Sequence, residues 1–400
     1  MKFLLISPKN RTVWNFRGDL VKEIILQGAE VVVTGPDTEG FERIHELGAR
    51  FEVVPLNKNG LSVLADLKYT CQLWRLMRKE KPDVTLGYTI KPVIYGAIAA
   101  RLAGIKNINS MVTGGGYLFI TKSLRAKALK QLATLLYRIG FRCANTVIFQ
   151  NRDDLEEFTQ QRRLVPAHKS RLVYGSGVNM EHFKPVPYPE TITFFMLSRI
   201  MYNKGVQEYL EAARQIKQRH PQVRFMLLGA LENIQDSMSA GGLQSYIDDQ
   251  TIEYFGETTD VTTYYRQCSV YVLPSYREGT PRTVLEAMAM ARPVITTDTQ
   301  GCRETVIEGK NGYLVPVKNS SALADKMEWF IRHPEVIETM GQESLKLCKE
   351  KFDVKKVNGE MMRWMGFTGP LPGSSGNGIK IAQLAPPSPT HVETTPPILP

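Results

Sequence analysis

Cysteine is scarce and unpaired in this chain. Cys71, Cys143, Cys268, Cys302 and Cys348 are scattered with no C-x-x-C spacing, and the six histidines are dispersed too. That excludes the usual zinc frameworks and offers no disulfide pattern, so reduced thiols in a cytosolic protein are expected. Long apolar runs are also missing; none reaches the ~20 residues that a membrane-spanning helix needs. The opening MKFLLISPKN turns polar too early for a signal peptide and reads as a first strand. No G-x-G-x-x-G follows it, so no dinucleotide fingerprint is present, and no D-x-D suggests a metal-held diphosphate. Zinc-finger, RRM and KH signatures are absent as well, which leaves a nucleic-acid-binding protein as a rival on basic charge alone.

What is present fits a globular protein of two or three domains: 400 residues, 43% of them apolar. The formal net charge of +10 is unevenly placed. Residues 1–175 carry 27 Lys+Arg against 15 Asp+Glu, and residues 176–400 carry 23 against 25, so the halves stand at +12 and −2. The basic half implies an anionic partner: a membrane surface, a phosphorylated acceptor or nucleic acid.

Short β-rich runs alternate with helical patterns. Strands are expected at 2–7, 31–34, 51–54, 84–86, 108–112, 147–150 and 172–174. After the proline-rich bridge 184–189 they resume at 191–197, 224–228, 252–255, 270–273, 294–296 and 313–315. Such alternation predicts α/β architecture with parallel sheets covered on both faces. Its restart predicts two Rossmann-like domains with a cleft between them. The expected boundaries are 1–178 and 179–349. Eight of the 23 prolines fall within 367–400, which reads as a disordered tail.

The most informative stretch is PSYREGTPRTVLEAMAM, residues 274–290. A buried strand ends at Pro274, and a polar loop follows. Thr280 reads as an N-cap and Pro281 as the first helical residue. The free N–H groups of Arg282 and Thr283 then form a small anion site at the helix mouth. Glu278 lies in the loop and Glu286 more than one turn into the helix. They cannot share one helical face, so they reach different parts of one ligand. The alternative is an ordinary strand–helix unit with surface glutamates.

The seven residues between Glu278 and Glu286, in the setting LPSYREGTPRTVLEAMAMARPVITTDTQGCRETV, resemble the E-x7-E motif of retaining GT-B glycosyltransferases. The likeness is to family 4, and within it to bacterial polyprenyl-diphosphate-sugar transferases. It covers about residues 1–365, and it implies that residues 350–366 cross back to the first domain. Thr113-Gly114-Gly115-Gly116-Tyr117 resembles that group's T-G-x-G-Y loop, as does GYTIKP at 87–92 before it. Gly175-Ser176-Gly177-Val178-Asn179 resembles the turn before the second domain. Ser198-Arg199 followed by Lys204-Gly205 resembles the S-R-x-x-x-x-K-G segment.

The resemblance implies roles. Glu286 holds the donor ribose. Glu278, with the backbone of Gly279 and Thr280, lies by the donor sugar. Arg199 and Lys204 neutralise the nucleotide diphosphate as it leaves. Gly256-Glu257 sits where the family places the base. The donor is a UDP-sugar, the acceptor a polyprenyl-diphosphate-linked saccharide, and no metal or other cofactor is expected. In some relatives a histidine near the glycine loop touches the donor sugar; none exists here between His45 and His168, so Thr113 is the candidate polar contact.

Three further features were read from the residues. In the first loop, Arg17 is placed to meet a phosphate, and Gly18 permits close approach of the backbone. Asn203 reads as the N-cap of the helix after Lys204, and Glu304 as a cap in the 299–304 loop. Lys122, Arg125, Lys127, Lys130, Arg138 and Arg142 form a basic stretch without acids. There Leu124, Leu132, Leu135, Leu136 and Ile139 share one helical arc. This suits either an anionic leaflet, reached from the cytoplasmic face by a peripheral protein, or a core-packed helix with a solvated face. A nucleotide-sugar 2-epimerase of the same architecture is the rival enzyme.

Overall fold

The computed structural model describes residues 1–57, 62–114, 124–232 and 236–369, without the side chains of 124–129. Two parallel sheets organise it. The first holds β1 (Lys2–Ile6), β2 (Glu30–Gly35), β3 (Arg50–Val53), β4 (Val84–Tyr88), β5 (Asn107–Val112), β6 (Thr146–Phe149) and β7 (Ser170–Leu172). Their order is β3-β2-β1-β4-β5-β6-β7. The second holds β8 (Thr193–Leu197), β9 (Arg224–Leu228), β10 (Glu253–Tyr254), β11 (Val270–Leu273), β12 (Val294–Thr297) and β13 (Gly312–Val315), in the order β10-β9-β8-β11-β12-β13. Each strand falls on an expected run, with ends shifted by no more than two residues. The α/β class and the two Rossmann-like units are borne out.

The reason is visible in β1. Phe3 and Leu5 enter one apolar cluster, and Leu4 and Ile6 enter the cluster on the opposite face. A parallel strand buried on both sides reads as an unbroken apolar run. In each sheet the strand order reverses beside the central strand, between β1 and β4 and between β8 and β11. Ligands of open α/β sheets bind beyond the carboxyl ends of the strands at such points.

The chain crosses between the units twice at one place. Val178 donates to the Phe352 carbonyl at 2.8 Å, and Val354 donates to the Val178 carbonyl at 3.0 Å. Gly177, at φ 70°, allows this: a Cβ there would lie 2.6 Å from the Val354 Cα. The helix Val354–Trp364 then packs on the first unit, placing Met361, Met362 and Met365 in one cluster with Phe3 and Val31. Phe367 joins that cluster and stacks edge-on to Phe3. The expected disordered tail from 367 therefore begins too early, because an aromatic side chain there completes a core. Residues 370–400 lie outside the described residues.

The basic stretch forms the helix Leu124–Cys143. Ala133, Tyr137 and Phe141 face the core, while Leu132, Leu135 and Ile139 are exposed. The expected apolar arc is therefore divided: these three face outward, Leu136 is half-buried against the core, and the side chain of Leu124 lies outside the described residues. Arg138 is exposed on that side. Lys122 and the side chains of Arg125 and Lys127 lie outside the described residues, and Lys130 is partly exposed. Among the described residues no helix is long and apolar enough to cross a membrane.

Candidate active site

The loop after β11 makes the site. Its conformation is set by its neighbours in the second sheet. The Asn203 carbonyl accepts from the Tyr276 amide at 3.0 Å, and from the Ser275 hydroxyl. Asn203 is not the expected N-cap; it sits in a 3-10 turn, Tyr202–Lys204. Gly205, at φ 74°, occupies the cap position of the helix Val206–Lys217. A Cβ on Gly205 would fall 2.1 Å from the Pro274 carbonyl oxygen, so only glycine lets the two loops meet.

This close approach delivers Lys204 to Glu278. The Lys204 ammonium lies 2.5 Å from Glu278 Oε1, and the Ser275 hydroxyl donates to the same oxygen at 2.7 Å. Both side chains are about four-fifths buried. Arg199 does not join them. Its side chain is half-exposed and faces Glu232 at 3.5 Å. The expected pair of converging cations is therefore split, each resting on its own carboxylate.

Glu286 occupies a second station. It projects from the helix Arg282–Ala289, whose N-cap is Pro281 and not Thr280. Arg282 Nε pairs with Glu286 Oε1 at 3.1 Å, and the Tyr265 hydroxyl donates to Oε2 at 3.1 Å. Burial pushes the Glu286 carboxyl above the ordinary carboxylate range, against the pull of Arg282 and Tyr265. The Val284 and Leu285 amides both reach the Pro281 carbonyl. Among the described residues the Arg282 and Thr283 amides have no acceptor, which leaves the helix mouth able to take an anion.

Thr280 has other work. Its hydroxyl donates to the Gln150 carbonyl at 2.9 Å, across to the first unit. Gly279 sits against the Thr113 carbonyl, where a Cβ would approach to 2.5 Å. A Cβ on Gly114 would lie 3.6 Å from the Gly279 nitrogen. Thr113, Gly114, Gly279 and Thr280 thus meet at one seam between the carboxyl ends of the two sheets. Beside it, Thr89, Ile90, Val112, Thr113 and Gly114 help to line a cavity of about 190 Å³. Gly115, Gly116 and Tyr117 lie outside the described residues. Gly18 is not at this seam; it starts the helix Gly18–Leu26 and faces Leu47. Arg17 is at the seam, buried, with Arg282 of the second unit near it.

The residues that sequence reasoning missed form a clamp on this loop. Asn151 caps the helix Arg152–Glu156 through Oδ1, and its Nδ2 donates to the Gly279 carbonyl at 2.5 Å. Arg277, next to Glu278, reaches Asp154 at 2.9 Å and Glu157 at 3.1 Å. Asp154 is fully buried, and burial raises its pKa in spite of Asn151 and Arg277. Farther out, Glu304 accepts from the Arg152 amide at 3.1 Å and from Lys351 at 2.6 Å, so it ties the units together at the start of the helix Arg152–Glu156 and does not cap a helix that follows it. Arg11 pairs with Glu257 across the same seam. One signal was available: QNRDD at 150–154 is a polar run directly after a buried strand.

The site can do one kind of chemistry well. A cation, an amide mouth and two differently held carboxylates surround a seam that closes on glycine backbone. That suits holding a diphosphate and stabilising it as it departs. Comparisons with known proteins agree. Residues 12–175 match the family model "Glycosyl transferase 4-like domain", and residues 178–346 match "Glycosyl transferases group 1". The chain is 25% identical over 342 residues to N,N'-diacetylbacillosaminyl-diphospho-undecaprenol alpha-1,3-N-acetylgalactosaminyltransferase of Campylobacter jejuni, covering 82% of this chain and 88% of that protein. It is 26% identical over 284 residues to UDP-Gal:alpha-D-GlcNAc-diphosphoundecaprenol alpha-1,3-galactosyltransferase of Escherichia coli, covering 66% and 70%. Its fold matches Anabaena Alr3699/HepE, solved in complex with UDP, at a TM-score of 0.74 and 19% identity over 91% of this chain and 99% of that one. The motif, the paired sheets and the two matched halves together identify the chain as a GT-B glycosyltransferase of the family 4 group.

Proposed function

We propose that this enzyme moves a hexose or N-acetylhexosamine from a UDP-sugar to a polyprenyl-diphosphate-linked saccharide, with retention at the anomeric carbon. The observation that carries the reading is the separation of the two glutamates into two stations on one seam. Glu286, on Arg282 and Tyr265, holds the ribose end. Glu278, on Lys204, stands where Gly279 meets Thr113, at the sugar end. The activities of the two relatives support a lipid-linked acceptor.

In the transfer, the bond from the anomeric carbon to the β-phosphate oxygen breaks. The acceptor hydroxyl attacks on the same face, and its proton passes to the departing phosphate. Lys204 and the amides of Arg282 and Thr283 stabilise the charge that develops on UDP. Arg199 swings from Glu232 to join them once the diphosphate is bound. The chemistry assigned to these residues uses no metal, so transfer is expected to persist in a chelator.

The acceptor's lipid places the reaction at a membrane, on its cytoplasmic face. Exposed Leu132, Leu135 and Ile139 beside Arg138 support that placement, as do exposed Leu64, Leu67 and Trp74 on the helix Val63–Glu80. Binding to anionic but not to neutral liposomes is the expected result. Equal, negligible binding to both removes the membrane partner.

A panel of UDP-sugars read by thermal stabilisation, followed by transfer to lipid-linked acceptors, tests the reading. Glu286→Ala should weaken UDP binding by roughly tenfold or more. Glu278→Ala should lower kcat far more than UDP affinity. Unchanged behaviour of both variants, or epimer formed from UDP-sugar without acceptor, overturns the assignment.

A further inference from the structure

Arg17 is a cation without a counter-charge. It lies between the helices Asn10–Phe16 and Gly18–Leu26 and is 2% exposed. Its Nη1 donates to the Phe16 carbonyl at 3.1 Å, and its guanidinium lies 5.4 Å from the centre of the Tyr88 ring. Nε has no partner, and among the described residues no carboxylate pairs with the group. The charge that does approach is of the same sign: the Arg282 guanidinium, from the second unit. Burial draws the Arg17 pKa down to about 10 against an opposing pull from Tyr88, and Arg282 adds to the fall, so the group stays charged at neutral pH. An unpaired buried charge costs several kcal/mol. Proteins keep such strain where a ligand relieves it.

The surroundings say which ligand. Tyr88 ends β4, and its hydroxyl meets Ser7 Oγ and Thr12 Oγ1, each at 2.8 Å. Ser7 follows β1. Arg17 therefore stands at the switch point of the first sheet, where its strand order reverses. Three hydroxyls and the unpaired Arg17 gather there, and the second guanidinium, Arg282, shares its charge with Glu286 at 3.1 Å; the lining suits a phosphate oxyanion. Arg282 is anchored on the same turn, with Nη1 on the Asn15 carbonyl and its guanidinium over the Phe16 ring.

The geometry points to a phosphate seat formed by Arg17 and Arg282, taking one phosphate group of a diphosphate ester at the seam between the units. The inference rests on the transferase reading, which supplies two such esters, the UDP donor and the lipid-linked acceptor. It adds that one of them is gripped from the first unit by a buried arginine, apart from the Lys204 cluster.

Calorimetry with inorganic pyrophosphate on the protein free of UDP reads the seat without any transfer. Wild type should bind at least about tenfold more tightly than Arg17→Met. The unliganded Arg17→Met protein should melt higher than wild type, because an unpaired charge is removed; an arginine with a purely structural role gives the opposite shift. Where Arg17→Met does not fold, Arg17→Lys is read instead, and it should bind several-fold more weakly than wild type. In turnover, a raised acceptor KM with unchanged UDP affinity assigns the seat to the acceptor diphosphate. Weakened UDP binding with unchanged acceptor KM assigns it to the donor. Equal pyrophosphate binding in wild type and variant, with both turnover constants unchanged, overturns the seat. Absence of any UDP-sugar response in wild type sinks the transferase reading instead, and the pyrophosphate comparison still stands.

Discussion

Glycine 279 shows how much a single residue decides in this protein. It packs directly on the Thr113 carbonyl of the first unit, and its own carbonyl takes the Asn151 amide. A methyl group there would meet the Thr113 carbonyl, a backbone wall, at 2.5 Å, and the Gln150 side-chain oxygen at 3.2 Å. The loop or the seam must then move. Gly279→Ala should therefore cut kcat by roughly 10²-fold, the loss that an ångström of misplacement brings. Its melting point should change little, since no core is touched. A kinetic assay beside a thermal melt checks both halves of that expectation.

At the scale of elements, the turn between β6 and the helix Arg152–Glu156 holds the loop that carries Glu278. Arg277 is bound to buried Asp154 on one side of the seam and is followed in sequence by Glu278 on the other. Breaking a buried pair leaves an uncompensated charge and costs about 3–5 kcal/mol, more than the pair itself contributes. Arg277→Ala and Asp154→Ala should each destabilise the protein and lower kcat, while the double variant recovers part of both losses. A double-mutant cycle on kcat and on denaturation midpoint measures this. Strictly additive losses would show that the two groups are not coupled.

At the scale of the molecule, the last helix decides whether the first unit is complete. Met361 is fully buried among residues from both ends of the chain. Met361→Ala should cost about 2–5 kcal/mol by denaturant unfolding. The same interface carries a pH dependence. Burial raises the Glu23 carboxyl to about 7, and Asp19 adds to the shift, while Asn358 and Lys355 oppose it. A raised carboxyl pKa favours the folded state while the group is protonated. That stability is full below the ordinary value of 4.5 and is lost as pH rises through about 7. Wild type should therefore lose melting temperature relative to Glu23→Gln between pH 5 and 8, and a parallel pH series of the two proteins tests the sign.

The sequence by itself determined the elements. Every strand of both sheets was legible, because a strand buried on two faces must be apolar throughout, and that constraint is local. The loop at 274–290 was legible as well, since its order of strand, polar turn and helix needs no partner to be recognised. Tertiary structure alone decided which side chains share a partner. Lys204 chose Glu278 over a position beside Arg199, Thr280 left its helix for Gln150, and Leu132, Leu135 and Ile139 of the helix Leu124–Cys143 turned outward. These choices depend on distances between residues far apart in the chain. They were fixed only when two sheets met at their carboxyl ends and a glycine let the loops touch.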